Sequence, residues 1–169
     1  MPTPHVPPEM MLIADKKGEK ILRKKTAAFD FSRFTPKDIR DLVARMRRIM
    51  REANGIGLSA NQIGLDLKMF VAEVPDAQGG LKFYAIFNPE LEKASKETVI
   101  AEEGCLSIPG KFGDVGRAQQ VTLKGQDRNG RPVKIKAWGL LARVFQHECD
   151  HLNGTVFTDH AKKVHDETV

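Results

Sequence analysis

The sequence is poor in cysteine and has no long apolar run. Cys105 and Cys149 are its two cysteines. That is too few for a disulfide framework and leaves thiols free for a metal or a reaction. No stretch approaches the roughly 20 apolar residues that a membrane-spanning helix needs. Met10-Met11-Leu12-Ile13 is too short for the apolar part of a secretory signal, and no small-residue cleavage site follows it. The expectation is a cytoplasmic location without membrane contact. Internal repeats and low-complexity linkers are also missing, so the 169 residues are read as one domain, 1–169. One charge is in excess, with 27 Lys and Arg against 22 Asp and Glu. A solvated basic surface accounts for this; a transient contact with an anionic assembly such as the ribosome is the functional alternative. No segment has the form of an RNA-binding motif, which argues against sequence-specific recognition of nucleic acid.

What is present divides into helical and strand-like segments. Pro2, Pro4, Pro7 and Pro8 disfavour a helix at the start, so residues 1–20 are expected to form an extended arm, with Lys16–Lys20 as an exposed turn. Thr35 can cap a helix whose first position is Pro36. Ile39, Leu42, Val43, Met46, Ile49, Met50 and Ala53 then recur at helical spacing, and Asn54-Gly55 supplies the stop. The opposite face carries Arg40, Arg47, Arg48 and Arg51 and is expected to be solvated. Segments 68–74, 83–88, 97–102, 119–126 and 131–138 read as strands, with Gly79-Gly80 and Asn129-Gly130 as hairpin turns. A second long helix is predicted over 140–153, ended by Gly154, and beyond Asp159 only a short polar tail. Helix, several strands, helix is the order of an α+β domain.

The most informative stretch is Gln146-His147-Glu148-Cys149-Asp150-His151. Histidines four apart share one face of a helix, so both imidazoles can reach one ion. Glu148, beside the first of them, is placed to handle a proton of water rather than to bind metal. Leu140 and Val144 lie on the same stripe as the histidines, which turns the site toward the core. Cys149 points away from it and reads as a packed residue. Two surface histidines on an ordinary helix are the bland alternative. A third ligand is still needed: Asp159, His160 and His165 lie downstream, and Cys105 stands upstream within Glu103-Gly104-Cys105-Leu106-Ser107. A Cys105 thiolate would complete a His2Cys set with one open position. A third segment, Gly55-Ile56-Gly57-Leu58-Ser59-Ala60-Asn61-Gln62, has two glycines that permit close backbone approach. It lacks the lysine and the preceding strand of a phosphate-binding loop.

The segments GIGLSANQ, EGCLS and QHECDH, in that order and spacing, resemble those of the peptide deformylase family, over about residues 36–159. The resemblance implies an α+β fold of mixed or antiparallel strands around a central C-terminal metal-binding helix, with an N-terminal helix. It implies hydrolysis of the formyl group from N-formylmethionyl nascent peptides. Cys105, His147 and His151 would bind one divalent metal, ferrous iron in the cell, with zinc, nickel or cobalt as alternatives in purified protein. Glu148 would be the acid/base; Leu106 N–H and the Gln62 side chain would hold the oxyanion. Ile56 and Gly57 would border an extended substrate, with Glu103 and Gly104 beside it. Ile108, Leu140 and Val144 would line a methionine pocket. Glu103 is expected to pair with Arg117. Ser59 stands where alanine is usual, a small-for-small change expected to matter little.

Overall fold

Helix α2 (Pro36–Glu52) begins where its cap was expected. The Thr35 hydroxyl accepts from the Asp38 N–H at 3.1 Å, and the Asp38 carboxylate accepts from the Thr35 N–H at 2.8 Å. This reciprocal box satisfies two donors that the first turn would otherwise leave open. The chain leaves the helix through Asn54, in the left-handed region with φ 55°, while Gly55 N–H returns to Met50 C=O at 2.9 Å. Its apolar face buries Ile39, Val43, Met46, Ile49 and Met50 against Leu58, Met69, Val71 and Phe87. The structure, a computed structural model, describes residues 5–167.

Five strands form the larger sheet, in the order β1 (Gly57–Ser59), β2 (Met69–Pro75), β3 (Leu81–Ala94), β6 (Gln120–Gln126), β7 (Pro132–Trp138). A smaller sheet joins β4 (Thr98–Cys105), β5 (Ile108–Ala118) and β8 (Val164–Asp166). Every pairing in both sheets is antiparallel. Gly79 and Gly130, at φ 81° and 76°, turn the β2–β3 and β6–β7 hairpins as expected. Helix α3 (Gly139–Leu152) contacts strands of the larger sheet and β5 of the smaller one, which makes it central. Its apolar side, Ala142, Phe145, Cys149 and Leu152, packs with Phe70 and Leu123. That leaves its other side free to carry polar chemistry.

Four expectations need correction. Residues 16–22 form helix α1 (Lys16–Leu22), not an arm and turn. Lysine and glutamate are good helix formers; Leu22 is fully buried, and Gly18 lies so flush on the Leu12 backbone that a Cβ there would collide with it. Residues 5–15 are non-regular, and Pro2 and Pro4 fall outside the described residues. Strand β3 runs past 83–88 to Ala94, bending at Asn88 (φ 49°), whose amide holds Phe29 N–H and C=O and Gln126. Strand β5 was not predicted, because Gly110, Gly113 and Gly116 break its pattern. The tail past Asp159 is not free: β8 pairs with β5 from Lys111 to Gly113.

Candidate active site

Helix α3 places His147 and His151 one turn apart on one side, their Nε2 atoms 3.1 Å from each other. Cys105 arrives from the end of β4, its Sγ 3.2 Å from His151 Nε2. All three ligand atoms lie within 4.8 Å of one another. Two nitrogens at about 2.0–2.1 Å from a tetrahedral ion stand roughly 3.3–3.4 Å apart, so the spacing suits a shared ion. Two imidazoles and a thiolate form a borderline-soft set that suits ferrous iron, zinc, nickel or cobalt. Burial, with the nearby His147, holds His151 well below the ordinary histidine range, in the neutral form that ligates. The donors therefore fit a divalent transition metal. Asp159 bonds Arg23 and Val156 N–H, His160 pairs with Asp150, and His165 pairs with Glu102, so none of the downstream candidates joins the cluster.

The hydrogen bond between His147 Nδ1 and Glu103 Oε2, at 3.0 Å, leaves Nε2 for the ion. Glu103 is held in turn: Arg117 donates to both its oxygens at 2.9 Å, and Arg143 donates to Oε1 at 2.7 Å. The expected Glu103–Arg117 pair is thus present and buried. Burial opposes ionisation of Glu103, but Arg117 and His147 outweigh it and hold the carboxyl far below its ordinary range. With both oxygens occupied, Glu103 has no carboxylate to offer a substrate. Asp150, whose role the sequence left open, accepts from Arg117 Nη1 at 2.5 Å. Gln146 clamps the helix to β5 by accepting from Ala118 N–H and donating to Ala118 C=O, both at 2.9 Å. Asn61 donates to His151 C=O at 2.6 Å.

The loop before α3's polar face completes the site. A Cβ on Gly57 would run into Glu148 Oε1, so the glycine leaves the Glu148 carboxylate its present position. Glu148 is buried, which raises its carboxyl above the ordinary range, while His147 and the Ser59 hydroxyl work the other way. Gln62 accepts from Ser59 N–H at 2.9 Å and donates to Ser107 Oγ at 3.1 Å, its Nε2 also facing Cys105 Sγ at 3.6 Å. Leu106 lies at the tip of the β4–β5 hairpin.

A cleft of about 640 Å³ opens over this cluster. Of the expected substrate residues, Ile56, Gly57, Gly104, Ile108, Leu140 and Val144 all line it, and Glu103 and Leu106 do as well. His151 lies behind the lining with no exposed surface. Sequence reasoning missed three contributors. Arg143 forms part of the wall and ties β4 to β5 through Val99 C=O and Val115 C=O. Residues 5–7 and Met10 line the rim, and the chain after them is pinned by Met11 N–H to Gln62 C=O and Ile13 N–H to Ser107 C=O. The third is the Ser59 hydroxyl; its one signal was a polar residue between the apolar Leu58 and Ala60.

Known proteins share this sequence pattern and this fold. The sequence profile of the polypeptide deformylase family matches residues 12–167. A peptide deformylase of Halothermothrix orenii is 40% identical over 154 residues, covering 91% of this chain and 96% of that protein. Among solved structures, a peptide deformylase from Synechococcus elongatus in complex with actinonin superposes with a TM-score of 0.80 at 32% identity, over 96% of this chain and 82% of that one. A peptide deformylase from Thermotoga maritima gives a TM-score of 0.78 at 33% identity, over 91% and 97%.

Proposed function

The chain belongs to the peptide deformylase family, and on that premise we propose how its residues divide the work. The reaction is hydrolysis of the formyl amide at the N-terminus of newly synthesised polypeptides, with formate released. Cys105, His147 and His151 would hold one divalent ion. When bound, that ion supplies a Lewis acid, which acidifies water and polarises a carbonyl. Glu148 takes a proton from the attacking water as the new C–O bond forms at the formyl carbon. It returns that proton to the amine nitrogen as the C–N bond breaks. Gln62 Nε2 and Leu106 N–H face the formyl oxygen as its charge grows; one such donor is worth about 3–4 kcal/mol. The substrate lies extended along Ile56 and Gly57, adding main-chain bonds to β1. Its methionine enters the pocket between Ile108, Leu140 and Val144. Glu103 and Gly104 act through the wall, Glu103 by orienting His147.

The observation that carries this reading is the convergence of three ligand atoms beside a buried carboxylate at the floor of one cleft. Ferrous iron is the proposed ion in the cell, because one thiolate with two imidazoles suits it; zinc, nickel and cobalt compete for the same donors. No helix of the described residues is long and apolar enough to cross a membrane. The net charge of +5 supports a transient, salt-sensitive ribosome contact in the cytoplasm. The deciding experiment is hydrolysis of formyl-Met-Ala-Ser by iron-loaded protein beside Glu148→Gln and Cys105→Ser. We expect Glu148→Gln to keep its metal and lose at least about 100-fold in kcat, and Cys105→Ser to lose the metal. Full activity in Glu148→Gln would remove the acid/base assignment.

A further inference from the structure

Ser59 was expected to matter little, yet it is fully buried between two buried apolar residues, where a hydroxyl needs a partner. Its Oγ stands 2.7 Å from Glu148 Oε2 and 3.1 Å from the Glu148 backbone C=O. The hydroxyl has one proton to give, and the carboxylate oxygen is the nearer acceptor. Among the described residues, Ser59 is the one hydrogen-bond donor on the Glu148 carboxylate. The other oxygen, Oε1, rests against Gly57, whose backbone lines the cleft. The two oxygens of one carboxylate are therefore in different surroundings.

We infer that Ser59 is a positioning residue for deformylation: it anchors Glu148 by Oε2 and so presents Oε1 alone to the reacting water and the leaving amine. This rests on Glu148 being the acid/base proposed above. A glutamate side chain has three rotatable torsions, and a buried one without a tether samples orientations from which no proton can be passed. Gly57 and Ser59 work as a pair. The first leaves room for Oε1, and the second fixes Oε2, from positions two residues apart on β1, whose alternation sends both toward α3. The hydroxyl touches neither the ligand atoms nor the substrate cleft, so its loss should spare binding.

The test uses the metal-loaded enzyme. Ser59→Ala should lower kcat on formyl-Met-Ala-Ser by about fivefold to twentyfold. KM, the ratio of metal to chain and Tm should stay close to those of the parent. Ser59→Thr, which keeps the hydroxyl, should recover most of kcat. A crystal structure of Ser59→Ala should show the Glu148 carboxylate turned from Gly57 or split between orientations. If Ser59→Ala does not fold, Ser59→Cys, similar in volume and a far weaker donor, is read by the same criteria. An unchanged kcat, or a loss that tracks metal content or Tm, overturns the inference. A parent enzyme with no formyl-peptide hydrolysis would instead overturn the functional reading on which it stands.

Discussion

Glu73 and Glu103 are each gripped by two arginines, in very different surroundings. Glu73, on β2, meets Arg47 and Arg51 from the outer face of α2, whose side chains are 39% and 56% exposed. Glu103, on β4, meets Arg117 and Arg143, which are 6% and 13% exposed, and also His147. The chemistry of the pairs is the same, but the freedom of the partners differs. Without Glu73, Arg47 and Arg51 turn to water, and Arg47 still lies over the Phe83 ring at 4.3 Å. Without Glu103, Arg117 is left with Asp150 and Arg143 with the Val115 and Val99 carbonyls, and a metal ligand loses its orienting bond. The outer cluster fastens a helix to a sheet; the inner one fastens a reaction centre.

The largest expected effect follows from the inner cluster. Glu103→Ala should cost about 3–5 kcal/mol of stability, because a buried ion-pair network loses its central carboxylate and Arg143 its only carboxylate partner among the described residues. It should also weaken metal binding by about 10-fold to 100-fold through the freed His147 ring. Denaturant melts and competition with a chelator measure the two losses. A small loss in both would place Glu103 with the exposed pairs and dissolve the contrast.

Glu73→Ala sharpens the contrast from the other side. Solvent screens its partners, so the loss should be about 1 kcal/mol or less. Activity and metal content should not change, since Glu73 touches no cleft residue through its side chain. Melts and formyl-peptide turnover of the same preparation check this. A drop in turnover would mean that the α2 face communicates with the site.

The sequence disclosed these regions unequally. The helical metal pair was legible because period-four spacing survives without tertiary knowledge. Cys105 was legible as a candidate, since the thiol lies 42 residues from His147 in the chain and meets it only through the β4–β5 hairpin. The outer arginine face was read as solvated, which holds for the arginines but hid Glu73, a strand residue 22 positions beyond Arg51. Arg143 and Ser59 were missed because each matters through a contact that no local pattern encodes. Strand β5 was missed for a related reason: Gly113 suits close packing against neighbours that a linear reading cannot see. Those neighbours are Ala161 and the Lys163 backbone.

The smallest expected effect is in the acid dependence of stability. Both carboxyls are held below the ordinary range: Glu73 first by its bond to Arg51, against burial, then by Arg47; Glu103 by Arg117 and His147 against a larger burial, and further down. When the folded pKa is depressed, the unfolded chain takes up the proton first as pH falls. The contribution is complete above the unfolded value of about 4.3 and drains as pH falls through the folded value. The stability gap between the parent and Glu73→Ala should therefore close soon below about pH 4, whereas the gap to Glu103→Ala should persist to lower pH. Chemical denaturation at closely spaced pH values from neutrality downward measures both gaps. Gaps that closed together would mean that the two grips are equally strong, and that burial of the arginines adds nothing to the inner one.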